Sequence, residues 1–113
     1  MDDLLDAVKS AAFAEYNRAS IEYGLTNNSR HESYAVIKEE FEEACDEFEQ
    51  FVGNLETLWR MIKKNRESGN IVERLERMMK FAENAAAEWI QVAAMCHKAI
   101  VSENAEVRDE PNI

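Results

Sequence analysis

From Tyr34 to Ile62, apolar residues recur at alternating spacings of three and four without interruption: Tyr34, Ile37, Phe41, Ala44, Phe48, Phe51, Leu55, Leu58 and Ile62. That alternation stays close to the helical repeat, so it places all of these side chains on one stripe of a single long helix. The register passes through Gly53, and the helix is expected to reach about Asn65, with any bend at the glycine. A second seam follows in Ile71, Leu75, Met78, Ala82, Ala85, Trp89, Val92 and Cys96. Between the seams, Glu67-Ser68-Gly69-Asn70 supplies a stop and a restart. Gly69 is the expected end of the first long helix, and Asn70 with Glu73 the expected N-cap pair of the next. Two helices joined by so short a turn must pack as antiparallel neighbours.

An earlier helix is expected from about Asp2 to Tyr23, with Leu5, Val8, Ala12, Tyr16, Ala19 and Tyr23 on one stripe. Gly24-Leu25-Thr26-Asn27-Asn28 breaks it, and Ser29 with Glu32 has capping-box spacing for the helix that follows. Only 3 Gly and 1 Pro among 113 residues agree with an all-α chain. The predicted fold is therefore an antiparallel hairpin of two long helices plus an N-terminal helix. It forms one domain over 1–101, followed by a flexible acidic tail over 102–113. Val36, Val52, Trp59, Val72, Met79, Ile90 and Ile100 lie outside the seams. Three helices of this length cannot cover all of them, so assembly into an oligomeric bundle, a homodimer or a dimer of dimers, is expected.

Charge narrows the function classes. A net charge of -10 argues against nucleic acid and anionic membranes as partners, since both call for a basic surface. No apolar run approaches the roughly 20 residues of a membrane span. The acidic start, Met1-Asp2-Asp3-Leu4-Leu5-Asp6, is not that of a signal peptide, and two cysteines, Cys45 and Cys96, fit reduced thiols in a cytoplasm. A di-iron bundle needs Glu-x-x-His, yet Asn28 and Ala94 stand three residues before His31 and His97. Zinc-type Cys/His clusters and a glycine-rich phosphate loop are likewise missing from the sequence.

Two acid clusters stand at matching places in the seams: Glu39-Glu40-Phe41-Glu42-Glu43 and Glu88-Trp89-Ile90-Gln91. With Phe41 and Trp89 at heptad position a, Glu40 and Glu88 both fall at g, and Glu43 and Gln91 both at c. In an antiparallel pair the g positions flank the same side of the seam. Reflection about a turn near Ser68 sets Glu43 opposite roughly residue 93, to within about one helical turn. Glu-rich heptads most often form solvated faces. Here Glu40, Glu43 and Glu47 repel one another at i+3 and i+4 with little Lys or Arg among them, and Val36 makes the same flank partly apolar. Carboxylates gathered there need a partner, and hard oxygen ligands suit Mg²⁺, with Mn²⁺ the alternative.

The stretch from His31 to Glu43, followed by Ala87 to Met95, resembles the MazG-like all-α nucleoside triphosphate pyrophosphohydrolases, in particular small phage and prophage members. That superfamily carries E-E-x-x-E on one helix and E-x-x-D on a later one. The first is matched by Glu39, Glu40 and Glu43; the second by Glu88, with Gln91 in place of the aspartate. The resemblance covers roughly residues 10 to 100. It implies Mg²⁺-dependent cleavage of a nucleoside triphosphate to monophosphate and pyrophosphate, in a bacterial or phage-infected host cytoplasm, by an oligomer. It makes Glu40, Glu43 and Glu88 metal ligands, with Gln91 at the fourth position, and Glu39 a further ligand or the water-activating base. Asn17, Arg18, His31, Tyr34 and Lys38 are the candidates for contact with base or phosphate. Because an amide carries no negative charge and cannot act as a base, Gln91 leaves an alternative open: a non-catalytic interaction or nucleotide-binding protein. Trp59, Trp89, Met78, Met79 and Met95 read as core or interface filler.

Overall fold

The computed structural model describes residues 2–109 and contains three helices: α1 (Asp2–Tyr23), α2 (Arg30–Lys63) and α3 (Ser68–Asp109). No strand occurs among the described residues. None of the helices is long and apolar enough to cross a membrane.

Helix ends follow from local chemistry. Gly24 takes the left-handed conformation (φ 98°) that closes α1, its N–H bonding the Ser20 carbonyl at 2.9 Å. Ser29 caps α2 as its spacing predicts, its Oγ accepting the Glu32 N–H at 3.1 Å. Helix α2 ends at Lys63, close to the expected Asn65, but its capping residue differs from the expectation. It is Asn65, not Gly69, that adopts the left-handed conformation (φ 52°). The Arg66 N–H bonds the Met61 carbonyl and the Asn65 N–H that of Ile62, each at 3.1 Å, which is the double-bonded Schellman pattern. Asparagine tolerates this conformation because its short side chain relieves the local strain. The capping residue thus stands four residues before Gly69. Gly69 and Asn70 lie inside the first turn of α3, where the Asn70 and Ile71 N–H groups bond the Glu67 carbonyl. Gly53 does not interrupt α2.

Helix α3 also runs past Val101, where the sequence pattern turns polar, to Asp109. Ser102 and Glu103 are tied down. The Asn27 N–H donates to Ser102 Oγ at 2.8 Å, and Arg30 makes a two-bond contact with Glu103 at 2.8 and 3.1 Å. Polar composition here reflects anchoring of the α1–α2 loop. The expected tail beyond residue 109 lies outside the described residues.

The chain divides into two compact units. One comprises Met1–Phe41 and Trp89–Ile113, the other Glu42–Glu88. In the first, three helices contribute to a core of Tyr16, Ala19, Ala94 and Met95, with Val36, Ile37 and Val101 packed against it. Tyr16 meets His97 edge to face at 4.4 Å between ring centres. Trp89, expected in the core, is half exposed and packs edge-on against Phe41 at 5.9 Å. The second unit is a two-helix hairpin, antiparallel across the Arg74–Asn54 side-chain hydrogen bond at 2.6 Å. Ala44 and Met78 are buried in it, while the seam residues Phe48, Leu55, Ile62 and Leu75 remain exposed. Tyr34, also assigned to the seam, is exposed in the first unit, as are Leu5, Val8 and Tyr23 of α1. Two helices can meet along a stripe without enclosing its larger side chains; enclosure needs a third element. Both cysteines are free thiols.

Candidate functional site

Glu43 on α2 and Glu88 on α3 face each other in the hairpin unit, offering carboxylate oxygens within 4.8 Å of one another. The sequence reflection set Glu43 opposite residue 93. The discrepancy follows from the early cap at Asn65: the reversal is centred on residues 64–67 rather than on Ser68, which moves the register toward the N-terminus of α3. Glu40 stands one turn before Glu43 on the same unbroken helix. Glu40 and Glu88 are half-buried, whereas Glu43 is exposed.

The next turn of α2 carries an unmatched carboxylate oxygen. Glu47 Oε2 is buried and has no hydrogen-bond partner. A buried acceptor of this kind is costly unless something positive or hydrogen-bonding meets it. Carboxylate oxygens alone, with no sulfur or imidazole among them, form a hard donor set that suits Mg²⁺ or Mn²⁺ rather than zinc. Sequence reasoning noted Glu47 only for its repulsion of Glu43.

In the three-helix unit a cleft of about 390 Å³ opens between α1, α2 and α3. Its apolar wall includes Ala19, Val36 and Met95, and its polar wall Arg18, Glu39, Glu40, Gln91 and Lys98. Clefts of this size hold small-molecule ligands. Of the residues proposed from sequence, Arg18, Glu39, Glu40 and Gln91 line it. Asn17, His31, Tyr34 and Lys38 are exposed and do not. Helical phase explains this: Asn17 lies about 100° around α1 from Arg18, enough to turn it away from the cleft.

Arg18 is held on its own helix by Glu15 at 2.8 Å and Glu22 at 3.4 Å. Gln91 does not stand apart from α1. Its side-chain amide hydrogen-bonds Glu15 and, together with the Arg18 guanidinium, holds that carboxyl below its ordinary range, the Gln91 contact being the larger cause. The Gln91 amide thus serves as donor to a carboxylate from another helix. Sequence reasoning missed Lys98. The clue was spacing: Gln91, Met95 and Lys98 fall at i, i+4 and i+7 on one face of α3.

No family model matches the chain, and neither a curated protein nor a solved structure does. Inference about function therefore rests on these residues and their geometry.

Proposed function

We propose that this chain is a divalent-cation-dependent nucleoside triphosphate pyrophosphohydrolase of the MazG-like kind. The observation that carries the reading is the convergence of Glu43 and Glu88 from two helices, with Glu40 one turn away, on a flank where Glu47 keeps an unmatched carboxylate oxygen. Glu40, Glu43 and Glu88 would hold Mg²⁺ or Mn²⁺. When bound, such a cation neutralises phosphate oxygens and stabilises the charge that develops as the α–β anhydride bond breaks.

The protein's own groups divide the remaining work. Glu39 lines the cleft beside Glu40 and would accept a proton from the attacking water. Arg18 presents a guanidinium fixed by Glu15 and Glu22 to the same space. Ala19, Val36 and Met95 offer an apolar wall that suits a base or sugar. Gln91 contributes an amide rather than a charge, and its hydrogen bond to Glu15 braces α1 against α3. A specific observation also favours self-assembly: Phe48, Leu55, Trp59, Ile62, Leu75 and Met79 are exposed on one two-helix unit. A homodimer or a dimer of dimers would cover them.

The deciding experiment is pyrophosphate release from a panel of canonical and modified NTPs and dNTPs with Mg²⁺ and with Mn²⁺. Release is expected from the wild type and should fall by on the order of a hundredfold or more in Glu43→Gln and Glu88→Gln. Absence of release from every nucleotide would leave a binding or assembly protein in its place.

A further inference from the structure

In the hairpin unit a groove of about 460 Å³ is lined by Gln50 and Asn54 of α2 and by Arg74, Arg77, Lys80 and Phe81 of α3. Three of these side chains are cations and none is an acid. That lining runs against a chain with 23 Asp and Glu to 13 Lys and Arg. Spacing explains it: Arg74, Arg77 and Phe81 fall at i, i+3 and i+7 of α3, and Gln50 and Asn54 at i and i+4 of α2. Asn54 and Arg74 each precede an exposed seam leucine, Leu55 and Leu75, by one residue, about 100° of helix. The groove therefore lies on a flank of the hairpin and not on its open apolar face.

Arg74 anchors the groove. Its Nη1 donates to Asn54 Oδ1 at 2.6 Å, and the Asn54 amide donates in turn to the Gln50 carbonyl at 2.7 Å. Its Nε is buried and has no hydrogen-bond partner. A cationic N–H shut off from water without an acceptor is unfavourable. With Nη1 committed, the Nε–Nη2 edge remains, and that edge takes two oxygens of one phosphate group. Arg77 pairs with Glu73 at 3.2 Å, an exposed contact that is readily exchanged. Lys80 adds a third positive charge, and a single carboxylate would leave most of that charge unbalanced. Gln50 and Lys80 stand seven and eight residues from Glu43 and Glu88, about 10–12 Å along the helices. An anion in the groove meets no lining carboxylate and needs no divalent cation as a bridge. We propose that the groove between 50–54 of α2 and 74–81 of α3 is a metal-independent binding site for a phosphate-bearing anion, with Arg74, Arg77 and Lys80 as its cations. This site goes beyond the pyrophosphohydrolase reading and does not depend on it.

Titration calorimetry of the full chain with inorganic pyrophosphate in excess EDTA is the test. The wild type should bind, and Arg77→Gln combined with Lys80→Gln should weaken binding about tenfold or more while helical circular dichroism is kept. Glu43→Gln, which removes a proposed cation ligand, should bind no more weakly than the wild type. The proposal is overturned by a wild type that binds no pyrophosphate without metal, or by a folded double variant that binds as tightly as the wild type. Because Arg74→Met also strips Asn54 of its donor, Arg74 is read in the wild type by nitrogen-15 NMR. Its Nε–H signal, assigned by its loss in Arg74→Lys, should move as pyrophosphate is added. A signal that stays still counts against the site. ATP in the same buffer separates the two sources of phosphate. Affinity equal to that of pyrophosphate assigns the phosphate chain alone, whereas tighter binding that Phe81→Leu abolishes assigns a nucleotide with its base against the ring. Metal-free binding that persists where no nucleotide is hydrolysed leaves this site standing and removes the hydrolase reading. Hydrolysis without metal-free binding removes this site alone.

Discussion

The two units are built from the same two long helices and the same spacing of apolar residues, yet they bury them differently. In the three-helix unit α1 lays Tyr16 and Ala19 against Ala94 and Met95, and a cleft with a buried lysine forms beside that core. In the hairpin unit the buried positions are the slim Ala44 and the flexible Met78, while Phe48 is 61% and Trp59 59% exposed. A repeating seam is enough to bring two helices together. A third helix is what turns contact into enclosure, and enclosure is what a binding site with an apolar wall requires.

The sharpest way to break this comparison is to truncate one aromatic in each unit. Tyr16→Ala removes a ring that is 7% exposed and touches Phe13 and His97, and it should cost about 3–5 kcal/mol in urea or thermal unfolding. Phe48→Ala in dilute protein should cost no more than about 0.5 kcal/mol, the range of ordinary surface changes. Equal losses at both positions would mean that the units are not enclosed to different degrees.

Concentration sharpens the contrast further. If copies of the chain cover the open hairpin face, the melting temperature of the wild type should rise with protein concentration by several degrees. Replacing Phe48 and Trp59 together with serine should flatten that dependence, and light scattering should show a smaller particle. A particle of unchanged mass would show that this face is not where copies meet.

The smallest expected effect concerns the brace between α1 and α3. The folded pKa of Glu15 lies below its ordinary value of 4.5, first through Gln91 and then through Arg18. A depressed carboxylate stabilises the fold above its unfolded pKa and loses that contribution as pH falls through the folded value. Gln91→Leu should therefore raise the Glu15 pKa toward 4.5 and shrink the stability lost on acidification below that pH. Carbon-13 NMR titration of the carboxyl reads this directly. A Glu15 titration that does not move would show that Gln91 has no hold on it.

Much of the architecture was legible because it rests on local rules. The bounds of α1 follow from its stripe and the Gly24 stop, and the start of α2 from Ser29 and Glu32. Heptad position put Glu40 and Glu88 both at g, which share a side in an antiparallel pair, and Glu43 lies one turn along α2 from Glu40, so acids of the two helices were expected on one flank. Their register was less legible, because the reversal depends on Asn65 accepting a left-handed backbone, a capacity that composition ranks below that of the nearby Gly69. Exposure of Phe48 and Leu55 could not be read from periodicity, which tells which side chains share a face but not how many helices cover it. Lys98 escaped for a related reason. A lysine among Ala94, Met95 and Ala99 looks like a surface charge until three helices close around it. The length of α3 was hidden by polar residues whose partners, Asn27 and Arg30, lie more than 70 positions away.

Gly53 has one more consequence. A Cβ built there meets nothing within 4 Å, so no packing demands a glycine in mid-helix. Glycine regains more backbone entropy on unfolding than any other residue, and here no side chain spans the gap to hold the turn. Thr57 and Asn54 bond back to the Gly53 and Gln50 carbonyls, which competes locally with regular helix geometry. The middle of the hairpin arm of α2 is thus its natural breathing point, where amide protons are lost to solvent in a local opening long before those around Ala44.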